Sequence, residues 1–238
     1  MKLTLPDADS LPPFEMGLGV YALTTGGSIS YLVTGAEKAL VIDTGFGTVN
    51  VLEKARAVTE KPLVLVNTHG HMDHIGCDGL FGQVYAHPLE HDRIHRKNKN
   101  TAAVREGFVF ELGGRNIEVL ELPGHTPGGI GLLDADNKLL FGGDMISVRP
   151  VFLQFAYSDL GAYMGSMEKL LAMGEKISAV MCCHGTMVLG IEQAKKMLAL
   201  AEAIQSGGSV EMEAVHLDTE DGGFDAKLYS MDGAKIYH

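Results

Sequence analysis

Short apolar runs separated by glycine-containing turns open the chain. Residues 20–24, 28–33 and 38–42 are rich in Val, Ile, Leu and Tyr and read as strands. The period then changes, because Val51, Leu52, Ala55 and Val58 recur along one face of a helix over 48–59. Residues 63–66 are wholly apolar and suit a strand buried on both faces. Past a polar loop, 83–86 predict another strand, and Pro88 fits the first turn of a helix reaching residue 97. A second strand series follows at 108–112, 117–122, 129–133 and 138–141, with Asp134, Ala135, Asp136 and Asn137 turning the last pair. Residues 159–173 predict a helix, 179–183 a strand, and 191–204 an amphipathic helix ended by Gly207 and Gly208. The tail has strand-like pieces at 210–217, 224–229 and 235–237, which complete a sheet edge or pair with another subunit.

Two strand-rich halves with helices outside predict an α/β fold, a four-layer αββα sandwich. No repeat or low-complexity linker divides the chain, so residues 1–238 are expected to form one domain, with 208–238 as a strand-rich tail. A formal charge of −11 argues against a nucleic-acid partner. No apolar run is long enough to span a membrane. Residues 1–9 lack the basic start and apolar run of a secretory signal, and three cysteines give no disulfide framework. The expectation is a cytoplasmic protein with a small-molecule substrate, and a homodimer remains open.

The densest chemistry follows the buried strand at 63–66. His69, His71, Asp73 and His74 place four potential metal ligands within six positions. In an extended loop His69 and His71 point the same way and can share an ion. If the chain then turns helical, Asp73 and His74 rotate away toward a second ion. Gly70 lets the backbone pass close by. Imidazole and carboxylate are the donors expected for zinc-like ions. Three further segments offer donors in turns after strands: His125 among Gly and Pro residues, Asp144 after Gly142 and Gly143, and His184 after an apolar strand. Each alone is weak, and together with the first cluster they form one candidate constellation.

With these motifs the chain resembles the metallo-β-lactamase-fold superfamily of hydrolases, in its glyoxalase II-like or lactonase-like branch, over roughly residues 21–200. The resemblance implies an αββα sandwich with a dinuclear metal site at one edge of its sheets. It implies that His69, His71 and His125 hold one ion, that Asp73, His74 and His184 hold the other, and that Asp144 bridges them. It also implies that Asp43 supports the site from behind. Two zinc ions are the expected cofactor, with iron or manganese as alternatives. Such a pair can share a water and lower its pKa enough to supply hydroxide for attack on a thioester, ester or lactone carbonyl. Asp73 and Asp144 are the candidate catalytic carboxylates, moving a proton or orienting the water.

Departures narrow the choice within the superfamily. The bridging Asp144 and the absent export signal argue against β-lactam hydrolysis. Residues 145–150 lack the basic pattern that glyoxalase II uses for glutathione, and no Tyr follows Asp144 as closely as in acyl-homoserine lactonases. Residues 152–163 are the expected substrate wall, with Arg149, Gln154, Tyr157 and Tyr163 as candidate substrate contacts. The competing readings are a mononuclear iron sulfur dioxygenase of the same superfamily and a metal-bound protein without catalysis. His87, His91 and His95 recur at helical spacing within a charged segment and are expected on a solvated face. Cys183, beside His184, is expected to be a buried thiol.

Overall fold

The computed structural model describes residues 11–25, 27–217 and 224–238. The reading of residues 1–9 falls outside them. The first sheet has seven strands in chain order: Phe14–Gly17, Val20–Thr24, Ile29–Thr34, Ala39–Ile42, Leu63–Val66, Val84–Ala86 and Thr101–Ala103. Its first four are antiparallel and the rest join in parallel. The second sheet runs Val188–Leu189, Ala179–Met181, Leu139–Phe141, Ile130–Asp134, Asn116–Glu121 and Val109–Glu111.

The two-residue period of the strands sorts the apolar side chains into three cores. Tyr31, Val33, Leu40 and Ile42 of the first sheet meet Ile117, Val119, Ile130 and Leu132 of the second. Their neighbours Leu32, Ala39 and Val41 face outward onto Val51 and Ala55 of the helix Val51–Val58. On the far side, Leu133 and Leu140 pack under the helices Leu160–Ala172 and Glu192–Ser206. The layer order is therefore helix, sheet, sheet, helix, because each sheet is apolar on both faces. Helix starts are set by capping: Asn50 accepts from the Glu53 N–H at 3.1 Å, and Asp159 from the Ala162 N–H at 2.8 Å. Among the described residues no helix is long and apolar enough to cross a membrane.

Three features depart from the expected elements. The helix predicted over 88–97 is a tight turn, Pro88–Glu90, followed by the one-turn helix His91–Ile94. Burial of His87 and Glu90 draws this segment inward. His87 therefore does not share the solvated face expected for it, and lies buried beside Glu121 and Arg105. The short strands Phe14–Gly17, Thr101–Ala103, Val151–Phe152 and Val188–Leu189 carry no local pattern that announces them. Among the described residues the tail joins neither large sheet. Glu211–Leu217, Phe224–Met231 and Ala234–Tyr237 form a third sheet with Val151–Phe152, packed on the helix Glu192–Ser206 through Ala234 and Ile236.

Arg115 joins the two large sheets. Its guanidinium donates to the carbonyls of Leu18 at 2.7 Å and Thr34 at 3.1 Å, and through Nε to the buried carboxylate of Asp134 at 2.8 Å. Removing one member of a buried pair strands the other. Asp134→Ala is expected to lower the unfolding free energy by about 3–5 kcal/mol in urea titration, and a change near zero would contradict this account.

Candidate metal centre

Strand ends from both large sheets converge at one edge of the sandwich. Leu63–Val66 runs into the loop carrying His69 and His71, and His71 starts the short helix Met72–Ile75 that holds Asp73 and His74. Turns of the second sheet supply the remaining donors. His125 precedes Ile130–Asp134, Asp144 follows Leu139–Phe141, and His184 follows Ala179–Met181. Gly143 is needed here, since its φ is +54° and a Cβ would lie 2.9 Å from the Thr68 hydroxyl.

The donors fall into two groups that share Asp144. One is His69, His71, His125 and Asp144, and the other is Asp73, His74, Asp144 and His184, each with its donor atoms within 4.8 Å of one another. In the first group Nδ1 of His71 lies 3.0 Å from Nε2 of both His69 and His125. In the second, Nε2 of His74 and Nε2 of His184 each lie 3.2 Å from Oδ1 of Asp144. Nε2 of His184 is also 3.2 Å from Asp73.

Partners behind each ring decide which nitrogen is offered. Nδ1 of His125 donates to the Phe152 carbonyl at 2.6 Å, and Nδ1 of His184 to the Gly27 carbonyl at 2.9 Å. Nδ1 of His74 donates to Asp43 at 2.8 Å. The Thr68 hydroxyl donates to Asp43 at 2.8 Å, which leaves it to accept from Nδ1 of His69 at 3.1 Å. Nε2 of His71 meets the Tyr157 hydroxyl at 2.7 Å. Every imidazole is thus held from its far side, and its other ring nitrogen faces the centre. Nε2 of His74 and Oδ1 of Asp144 are buried and, beyond their 3.2–3.5 Å approaches within the donor set, have no hydrogen-bond partner, as expected of atoms shaped for a cation. The donor set fits the implied metal.

A family model described as the metallo-beta-lactamase superfamily matches residues 23–184. The chain belongs to that superfamily. It is 28% identical to the acyl-coenzyme A thioesterase MBLAC2 of Bos taurus, over 61% of this chain and 68% of that protein. It is also 28% identical to the hydroxyacylglutathione hydrolase GloC of Haemophilus influenzae, over 63% of this chain and 81% of that one. A solved metallo-beta-lactamase from Pontibacter korlensis superposes with a TM-score of 0.69 at 23% identity, covering 81% of this chain and 99% of its own, a likeness of fold. The chain is a metal-dependent hydrolase of the metallo-beta-lactamase superfamily.

Electrostatics separates the two halves of this superfamily centre. Burial, reinforced by His125, pulls His71 down to about 3, and burial also lowers His69 and His125. Those three rings are neutral, the form that binds a cation, whereas His74 and His184 would release a proton on binding one. Burial works against charge on His74 and His184 too, but there carboxylates outweigh it. Asp73 and Asp144 raise His74 well above its usual value, and Asp144 raises His184 to about 10. Burial is likewise outweighed at Asp73 and Asp144, where the neighbouring histidines hold both well below the usual carboxylate range. Exposure does not follow the same division: the side chains of His184 and Asp73 are 22% and 19% exposed and His71 is half-buried, whereas His74, His69 and His125 are buried, so solvent reaches the centre past members of both groups.

The other expected residues divide by where their side chains end. Asp43 stands behind the centre, touching His74 and the Thr68 backbone. Tyr157 touches His71, and the exposed Arg149 lies against Gly185, next to His184. Gln154 keeps its amide buried and without a partner. Tyr163 is a correction: it is fully buried in the outer core and its hydroxyl donates to the Met145 carbonyl at 2.8 Å, so it forms no substrate wall. Helical periodicity turned its ring inward. Cys183 is buried, and burial pushes its thiol well above the usual range.

Three supporting residues carry no motif: Asn67, Asp78 and Glu90. Asn67 donates to the His74 carbonyl at 3.0 Å, and Thr44 donates to Asp78 at 2.6 Å. Burial pushes Asp78 up to about 7, although hydrogen bonds from Thr44 and Asn67 oppose the shift. A carboxyl raised in the folded state favours folding most at low pH. Its contribution is lost as pH climbs from the unfolded value near 4 to about 7, and is flat beyond. Asp78→Asn keeps the accepting oxygen and removes the titration. Compared with the natural chain in chelator, it is expected to lose about 1–4 kcal/mol less stability between pH 4 and pH 8. Parallel stability curves would rule this out.

Proposed function

We propose that the chain hydrolyses thioesters at two metal ions held by these two donor groups. The observation that carries the reading is the pair of complete groups sharing Asp144, with all five imidazoles anchored from behind. A site for one ion would need only one of them, which weighs against the single-iron oxygenase reading. His69, His71 and His125 would hold one ion, and Asp73, His74 and His184 the other, with Asp144 between. Zinc is the ion these donors suit, and iron or manganese would also fit. Bound there, such a pair supplies Lewis acidity toward the carbonyl oxygen and acidifies a water to near neutral pH.

The chain's own residues supply positioning and proton transfer. Water adds its oxygen to the thioester carbonyl carbon, the carbon–sulfur bond breaks, and the thiolate takes up a proton. Asp73, whose side chain is 19% exposed against 13% for Asp144, is the group we assign to carry that proton, and Asp144 the group that orients the water. Thioesters are favoured over esters and lactones because the relatives quoted above are named for acyl-coenzyme A and hydroxyacylglutathione. Phe155 and Phe152 offer an apolar wall for the acyl part. The Phe155 ring lies 5.4 Å from His71 and stacks on Tyr157 at 5.2 Å and on Phe152 at 6.2 Å. The exposed Arg149 is the cation we assign to an anionic group on the thiol carrier.

Metal content of protein purified without added ions is expected to be two per chain. Asp144→Ala is expected to retain the fold, lose one ion and cut turnover by at least about 100-fold. Unchanged turnover would remove Asp144 from the centre, and one iron with oxygen uptake would replace hydrolysis by oxygenation. In a panel of acyl thioesters, Phe155→Ala is expected to raise KM for long acyl chains by about 5- to 30-fold, or about 1–2 kcal/mol, and to spare acetyl thioesters. Equal effects on both would show that Phe155 does not touch the acyl chain.

A further inference from the structure

Beside the three-histidine group lies a buried acid with no place among the donors. Glu90 ends the tight turn Pro88–Glu90 and is fully buried. A buried carboxylate is costly unless its oxygens are satisfied, and here both are. Oε2 accepts from the Gly70 N–H at 3.0 Å and pairs with Arg93 at 3.3 Å, while Oε1 accepts from the Gly128 N–H at 2.9 Å. Gly70 sits between His69 and His71, and Gly128 follows closely on His125. One carboxylate therefore clasps the backbones of both loops that carry the three rings.

The packing around the clasp explains why both loops have glycine there. A Cβ on Gly70 would lie 3.0 Å from Oε2 of Glu90 and 2.8 Å from the Arg93 stem. On Gly128 it would lie 2.9 Å from Oε1. Arg93 extends the contact to the other side of His71. Its guanidinium sits 4.2 Å over the Tyr157 ring, and the Tyr157 hydroxyl meets Nε2 of His71. His71 is thus gripped twice, through its backbone neighbour Gly70 and through its far ring nitrogen, and both grips lead back to Glu90.

We infer that Glu90 is a positioning residue for metal capture by His69, His71 and His125. Nε2 of His69 and Nε2 of His125 both crowd Nδ1 of His71 at 3.0 Å, and one N–H there can satisfy only one of the two contacts without a cation. The Ile130 N–H joins the two segments at the Thr68 carbonyl at 2.9 Å, and beside the rings themselves the Glu90 carboxylate is the group that bonds both loop backbones. The inference rests on the two-ion reading of the centre.

The test uses the full chain stripped of metal and titrated with cobalt(II) alone, comparing the natural protein with Glu90→Gln and Glu90→Asp. Affinity is read by chelator competition, geometry by the visible cobalt spectrum, and the fold by melting of the metal-free proteins. Glu90→Gln is expected to weaken one of two cobalt sites by about 10- to 100-fold and alter its spectrum, with partial recovery in Glu90→Asp. A merely structural Glu90 would lower the metal-free melting temperature and leave affinity and spectrum unchanged, which overturns the inference. Should Glu90→Gln fail to fold, Arg93→Met removes the ion pair and the cover over Tyr157. It is expected to weaken the same site, and unchanged cobalt binding overturns the inference. A natural protein that binds no cobalt overturns both this and the proposed function, whereas unaffected variants of a protein that binds two ions overturn the inference alone.

Discussion

Asp43 holds the centre together, and it does so from a strained backbone. It follows the strand Ala39–Ile42 with φ at +62°, a region that residues with side chains seldom occupy. Such a conformation costs on the order of 1–3 kcal/mol and persists only where its surroundings enforce it. Three hydrogen bonds offset the strain here. The Asp43 carboxylate accepts from the Thr68 N–H at 2.7 Å, the Thr68 hydroxyl at 2.8 Å and Nδ1 of His74 at 2.8 Å. The first two fix the loop leaving the parallel neighbour strand Leu63–Val66. The third turns Nε2 of His74 toward Asp144. Because the Thr68 proton goes to Asp43, the tautomer of His69 is set as well. One carboxylate behind the centre thus decides what two histidines on different ions would offer.

The same logic of supports behind donors gives the centre its two-sided character. Neutral rings beside a buried acid make up one group, and carboxylates with raised histidines make up the other. On the proposed reading, two dications against the carboxylates of Asp73 and Asp144 leave a local positive charge in an acidic chain. The chain's overall charge therefore does not forbid an anionic acyl carrier at this edge. The exposed Arg149 near His184 adds to that local field.

What the chain's pattern reveals and hides has a physical basis. Strand alternation and the buried run Leu63–Val66 are local, so the central strands of both large sheets and their layer order could be read from apolar spacing, whereas the short edge strands could not. The histidine cluster could be read because four donors fall within six positions, and the division of ligands between two ions came with the family resemblance. Glu90 could not, since its role depends on two backbone N–H groups from loops far apart in the chain and its own segment reads as a charged surface. Gly70 and Gly128 were the visible trace, glycines beside histidines that need close backbone approach. Tyr163 misled for the opposite reason: a Tyr near the expected wall lay on the inward face of its helix.

The C-terminal sheet shows how remote chain reaches this centre. Val151–Phe152 pairs with the last strand, Phe152 against Tyr237, and the Leu153 N–H donates to the Tyr237 carbonyl at 2.8 Å. The carbonyl of that same Phe152 accepts Nδ1–H of His125, and its ring stacks on Phe155 beside His71. The last strand is therefore two contacts away from one proposed ligand and one stack away from the proposed acyl wall. An edge strand of two residues has too few hydrogen bonds to hold itself. Its position comes from the third sheet, which in turn is held by Ala234 and Ile236 against the helix Glu192–Ser206. The tail thus belongs to the architecture of the centre, because the shortest strand that serves a ligand depends on it.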